Sequence, residues 1–216
     1  MEKKYSFINN VTGWAVLLFS SIVYILTIEP TASFWDCGEF IATSFIMGVP
    51  HPPGSPLYLL LGNVFSQIPT LSDVGARVNL MSPLVSAFSV MFLYLITVYL
   101  IEEFRGITAK FSDALINFGS ALVGALTFAF TDSQWFNAVE AEVYAMSTFF
   151  TGIVVWLILV WARKEGTKGN VRYIIIIAYM FGIATGIHLL NLLALPLIAL
   201  IIYFKKREFS YLSFLI

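Results

Sequence analysis

Six long apolar blocks separated by short polar gaps dominate the chain, at residues 11–28, 81–101, 114–130, 143–161, 171–187 and 189–204. A helix that crosses a bilayer needs about 17–25 mostly apolar residues, so each block predicts a membrane-spanning helix. The last is short, and Pro196 predicts a kink in it. A seventh apolar stretch, 55–68, has only 14 residues and follows a proline cluster. That length suits a helix lying in the membrane interface over about 57–68 better than a span. Within the long polar interval 29–80, "DCGEFIATSFIMG" predicts a second interfacial helix over about 36–48. The prolines of "HPPGSP" then deny helix through 50–56.

Charge decides the topology. Lys and Arg collect on the cytoplasmic side of membrane proteins. With six spans and a cytoplasmic N-terminus, eleven of the twelve basic residues fall inside: Lys3, Lys4, Arg105, Lys110, Arg163, Lys164, Lys168, Arg172, Lys205, Lys206 and Arg207. Only Arg77 is left outside. Were 55–68 a span, the nine basic residues after Arg77 would move outside. The first apolar run, 18 residues, exceeds the 7–15 of a signal peptide and no A-x-A site follows it, which predicts an uncleaved anchor. Residues 1–207 form one membrane module. The tail 208–216 turns apolar again and reads as the start of a further, truncated segment.

Composition agrees: 59% of residues are hydrophobic and 12% charged, against about 25% charged in soluble domains. The expected fold is an all-α polytopic membrane protein. One Cys excludes an internal disulfide, and a net charge of −1 gives no reason to expect nucleic acid. The expected location is the inner (plasma) membrane.

On this topology the polar residues gather on the outer face. Asp36 and Glu39 lie three apart, so a helix puts both on one side. Phe34 and Trp35 directly before them hold the pair at membrane level, where an ionisable group is a functional-site hypothesis by default. Ordinary headgroup solvation is the plainer alternative. His51 is either a polar loop residue or part of a pocket lining. Glu140 and Glu142, two apart, face about 200° apart on a regular helix, so one points inward while the other caps or solvates. Glu140 and Tyr144 would share a face. His188 sits beside Asn191 at the end of the fifth span, as a packing residue or as a ligand. Gly182 and Gly186 form a G-x-x-x-G that reads as close helix packing. The H-E-x-x-H, G-x-G-x-x-G, phosphate-loop and G-x-S-x-G signatures are missing.

A first span leading into "WDCGEF", then "HPPGSPLY" and a short helix, resembles the GT-C superfamily of multi-pass glycosyltransferases that use polyprenol-phosphate sugars. Within it, "PTASFWDCGEFIATSF", "HPPGSPLYLLLG", "ARVNLMSPL", "WFNAVEAEVYA" and "GIHLLNLLALP" are similar to a family of bacterial membrane proteins with an animal protein O-mannosyltransferase relative. These stretches cover most of residues 30–196. The resemblance implies transfer of a hexose, with mannose the first expectation, from a polyprenyl-phosphate donor to Ser or Thr of an exported protein. It implies that Asp36 serves the acceptor, with Glu39 as its neighbour. In many GT-C mannosyltransferases the acidic pair is adjacent, whereas Cys37 and Gly38 intervene here. His51, Glu140, Glu142, His188 and Asn191 are the expected substrate-binding residues. Some GT-C enzymes need a divalent metal (Mg or Mn) and others do not, and five or more outer carboxylates would allow one.

Arg77 has two candidate roles, an ion pair with Asp73 or Glu29 or a bidentate clamp on the donor phosphate. The rival functional class is a transporter or lipid flippase in which Asp36, Glu39 and Glu140 relay protons or substrate. Relay carboxylates belong inside spans, yet no acid lies within the six apolar blocks.

Overall fold

The computed structural model describes residues 2–106 and 111–210. Lys110 and residues 211–216, most of the expected further segment, lie outside the described residues. Every described element is helical: α1 (Glu2–Leu26), α2 (Cys37–Ile46), α3 (Pro56–Gln67), α4 (Val74–Asn79), α5 (Met81–Arg105), α6 (Phe111–Ala129), α7 (Asp132–Val139), α8 (Val143–Arg163), α9 (Val171–Thr185), a 3-10 turn (Leu189–Leu193) and α10 (Ala194–Lys206).

Five runs are long and apolar enough to cross a membrane: 4–26, 74–105, 112–129, 143–163 and 189–206. The chain is an all-α, multi-pass membrane protein. The block expected to span at 171–187 forms a helix of 15 residues, about 22 Å long at 1.5 Å per residue and short of a hydrocarbon core of about 30 Å. Its stop has a local cause. His188 Nδ1 accepts the N–H of Leu190 at 3.1 Å and starts the 3-10 turn. Pro196 sits in the first turn of α10, where its missing N–H costs nothing, instead of kinking a longer helix. The block expected at 81–101 is extended by α4 into residues assigned to the loop.

α5 is the hub, with α1, α6 and α8 packed on it. Ala121, Ala125 and Ala129 recur four apart on α6, so one small-residue stripe lets that helix close on α1, where Tyr24 donates to Ala129 O at 2.8 Å. A second cluster joins the interfacial helices to the bundle through Phe40, Tyr58, Met81, Met146 and Ile187. Gly62 is what lets α2 and α3 touch: a Cβ there would lie 2.4 Å from Ser44 Oγ. Of the G-x-x-x-G pair, Gly186 is packed against Leu57 while Gly182 faces open space. α5 and α8 run parallel, so their first residues meet at one end of the bundle, beside α2 and α3.

Candidate functional site

Asp36 stands at the N-cap of α2, but its carboxylate bonds no helix N–H and is left free. The residue before it, Trp35, adopts φ +57, a left-handed conformation that costs a bulky side chain roughly 1 kcal/mol or more. That turn starts α2 at Cys37. Glu39 lies in its first turn, and the stiff 50–56 segment returns His51 to it. Glu39 Oε1 accepts the backbone N–H of His51 at 2.7 Å, and Oε2 meets His51 Nδ1 at 2.7 Å. The carboxylate is an acceptor only, so Nδ1 carries the proton. His51 Nε2 then faces Asp36 Oδ2 at 4.0 Å. The hydrogen bond from His51 holds the Glu39 carboxyl below the usual range. The same bond raises His51, with the charges of Asp36 and Glu142 adding to it.

Glu142 closes the other side of a polar cleft lined by Asp36, Phe40, His51, Ser55, Tyr144 and His188. It is 4% exposed, and its Oε2 has no hydrogen-bond partner among the described residues. Burial, then the charges of Glu140 and Asp36, push its pKa up to about 7. His188 is pushed down, by burial and by His51. Its ring lies 5.4 Å from that of Tyr144.

The helical reading of 140–142 is corrected. Both glutamates are extended, with φ −134 and −132, because α7 ends at Val139 and α8 begins only at Val143. Between them Ala141 forms a tight turn, closed by the Glu142 N–H to Glu140 O at 3.0 Å, and both side chains are buried. Glu140 is fully buried, its carboxylate oxygens without a close hydrogen-bond partner among the described residues, and burial, partly offset by the nearby Ser33 hydroxyl and reinforced by the charge of Glu29, raises its pKa. It lies behind the cleft and does not line it.

Two expected site residues are engaged elsewhere. Arg77 donates to the carbonyls of Leu71 (2.5 Å), Ser72 (3.2 Å) and Ser66 (3.3 Å) and pairs with neither Asp73 nor Glu29. Asp73 instead caps α4 through the N–H groups of Gly75 and Ala76. Asn191 is buried, donating to the carbonyls of Ala184 and His188 and accepting from Ser147 and Thr151.

The residue that sequence reasoning passed over is Asn79, which is fully buried. Its Nδ2 donates to Glu29 O (2.8 Å) and Thr31 O (2.9 Å), and its Oδ1 accepts from Ala141 N (2.9 Å) and Cys37 Sγ (3.7 Å). One amide thus fixes the segment entering Asp36 relative to the link that carries Glu142. The signal was a lone amide inside the apolar run "ARVNLMSPL", because a buried polar group needs partners.

Residues 36–210 match the family model described as the protein O-mannosyl-transferase TMEM260 N-terminal domain. The chain belongs to that family. It is 32% identical to protein O-mannosyl-transferase tmem260 of Dictyostelium discoideum, over 89% of this chain and 24% of that protein. It is 27% identical to protein O-mannosyl-transferase TMEM260 of Mus musculus, over 91% of this chain and 27% of that protein. The chain thus spans about a quarter of the length of these curated relatives. No solved structure matches it. The TMEM260 N-terminal-domain match runs from Asp36 past the end of α10 to residue 210, so it contains the whole cleft.

Proposed function

We propose that this membrane module carries the reacting groups of a protein O-mannosyltransferase, which moves mannose from a polyprenyl-phosphate donor to Ser or Thr of an exported protein. The observation that carries the reading is the convergence of Asp36, the Glu39–His51 pair and the desolvated Glu142 on one cleft at the end of the bundle. The family's name supports the sugar and the acceptor class. A lipid-linked donor presents its phosphate and sugar at the headgroup plane, and interfacial helices α2 and α3 would hold the cleft at that depth. The topology that suits this chemistry has six crossings, with 171–185 as the short one, a cytoplasmic N-terminus and the cleft outside the plasma membrane.

The acceptor oxygen attacks the anomeric carbon as the C–O bond to the donor phosphate breaks. The hydroxyl proton passes to Asp36, and the phosphate leaves on its lipid, a group that needs no acid. A single displacement inverts the anomeric centre through an oxocarbenium-like transition state. Asp36 suits the base because its carboxylate is spent on neither a helix cap nor an ion pair shorter than 4.0 Å. Glu39 holds the His51 ring so that Nε2 faces Asp36.

The test uses the full-length protein in membrane vesicles, with a labelled polyprenyl-phosphate mannose and an acceptor peptide. Asp36→Asn keeps the shape but removes the base, and should lower transfer by about 10²–10⁴-fold while donor binding persists. Transfer near the wild-type rate would remove Asp36 from this role.

A further inference from the structure

The cleft has two unlike walls. On one, Asp36 and the Nε2 lone pair of His51 accept hydrogen bonds, which suits the hydroxyl of Ser or Thr. A phosphate brings acceptors only and needs donors. Of the side-chain donors in the lining, His51 Nδ1–H goes to Glu39 (2.7 Å) and the Ser55 hydroxyl goes to Ile187 O (2.8 Å). No Lys or Arg lines the cleft among the described residues. That leaves the imidazole of His188 and the hydroxyl of Tyr144, side by side on the other wall.

We propose that His188 Nε2–H and the Tyr144 hydroxyl bind the phosphate of the lipid-linked sugar donor, with one neutral hydrogen bond each. The use of this wall in transfer rests on the transferase reading; its affinity for a lipid phosphate does not. Both hydrogens stay on their atoms, because the phosphate leaves as an anion and takes no proton.

Three observations carry the proposal. First, the fold fixes the His188 tautomer. Nδ1 accepts the N–H of Leu190 at 3.1 Å, so the proton of the neutral ring sits on Nε2. The reversed tautomer would set one N–H against another and undo the start of the 3-10 turn. His51 is held the opposite way, with its hydrogen on Nδ1, so one imidazole shows the cleft a lone pair and the other an N–H. Second, both donors are free and close together. The side-chain bond of His188 uses Nδ1 and Tyr144 contributes only its backbone carbonyl, so Nε2 and the phenol hydroxyl have no partner among the described residues. Tyr144 is exposed and His188 half-buried, and their rings lie 5.4 Å apart, so two oxygens of one phosphate can take a hydrogen from each. Third, the wall lies at the right depth and in a favourable field. Tyr144 begins the span 143–163 and His188 directly precedes the span 189–206, which sets both at the headgroup level of a lipid phosphate. Tyr144 is in the first turn of α8, whose N-cap Glu142 makes no side-chain cap bond, so the positive end of a 21-residue helix is left uncapped there. Glu142 itself keeps its proton to about 7 and is no fixed negative charge beside the anion.

Farnesyl phosphate is the probe, and farnesol is the same chain without the phosphate. Their binding to purified full-length protein in detergent is measured by isothermal titration calorimetry. Tyr144→Phe removes only the hydroxyl. His188→Asn keeps an oxygen that can accept the Leu190 N–H, in a residue favoured at a helix start, but loses the Nε2 donor. Each variant should bind farnesyl phosphate about tenfold more weakly, as expected for a lost hydrogen bond to a charged group. Farnesol binding and the melting temperature should not change, and the ring ¹⁵N shifts of wild type should place the His188 proton on Nε2. Unchanged farnesyl phosphate affinity in both variants overturns the proposal, and so does an equal loss of farnesol and farnesyl phosphate. If phosphatidylglycerol binds as tightly and with the same dependence on both residues, the wall serves any lipid phosphate and its assignment to the donor falls. Binding that depends on both residues, in a wild type that transfers no sugar, keeps the wall and removes the transferase reading.

Discussion

Where α5 and α8 end, Arg163 meets Glu102 at 2.7 Å and Glu103 at 3.0 Å and lies 3.8 Å over the Tyr99 ring; Lys206 pairs with Glu165 nearby. Where the same two helices begin, Glu140 and Glu142 are buried with no cation paired to them among the described residues, and three of their carboxylate oxygens are buried without a close partner there. The first end answers each of these acids with a base. The second leaves charge uncompensated, which an apolar replacement of the same shape would avoid. Uncompensated acids suit groups that must meet a ligand, and they set the end that holds the bundle together apart from the end where the proposed chemistry lies.

The comparison breaks most visibly at the paired end. Arg163→Ala strands Glu102, whose side chain is 7% exposed, and should cost about 3 kcal/mol, seen as a lower melting temperature in detergent. Adding Glu102→Gln should recover most of the loss. No loss in the single variant would mean the pair is not what secures this end.

At the cleft the sign reverses. Glu142 holds its proton to about 7 against an ordinary 4.5. Below about 4.5 both folded and unfolded chains carry that proton. As pH rises from about 4.5 to about 7 the unfolded chain loses it first, so stability falls, by about 3 kcal/mol in all, and levels off above that. Glu142→Gln should flatten this slope and stabilise the protein at high pH. A slope of the same size in the variant assigns it to another group.

The smallest effect sharpens the contrast, because Glu39 and His51 form a close pair at the cleft end. The raised His51 contributes stability that is lost as pH rises through its folded value. The lowered Glu39 contributes stability that is lost as pH falls through its own. The pair therefore works between those two limits. Glu39→Gln should move the His51 titration, followed by NMR, down toward an ordinary histidine, and an unmoved titration would mean the pair does not form.

How much of this was legible in the sequence follows from how local each signal is. Long apolar blocks announce helices by themselves, and the density of acids around Asp36 and His51 announced the cleft. The length of the fifth block was not legible, because its end is set by a His188 side-chain bond that no apolar count registers. α7 was hidden in "TDSQWFNAVE", whose polar surface looks like a turn. Glu140 and Glu142 were misoriented because a helical period was assumed where the chain turns tightly between α7 and α8. Arg77 and Asn191 were plausible ligands by charge and place, but backbone carbonyls that only the fold brings near consume their donors.

Asn79 also gives the site a position in time. Its partners lie 50 and 48 residues earlier at Glu29 and Thr31, 42 earlier at Cys37, and 62 later at Ala141. A ribosome releases these segments in sequence, so the loop bearing Asp36 emerges long before the amide that anchors it. The opposite wall arrives later still. During synthesis the nascent chain therefore passes through a stage with its first spans made and its cleft residues unplaced. The closing bond to Ala141 is made only when α8 is about to begin.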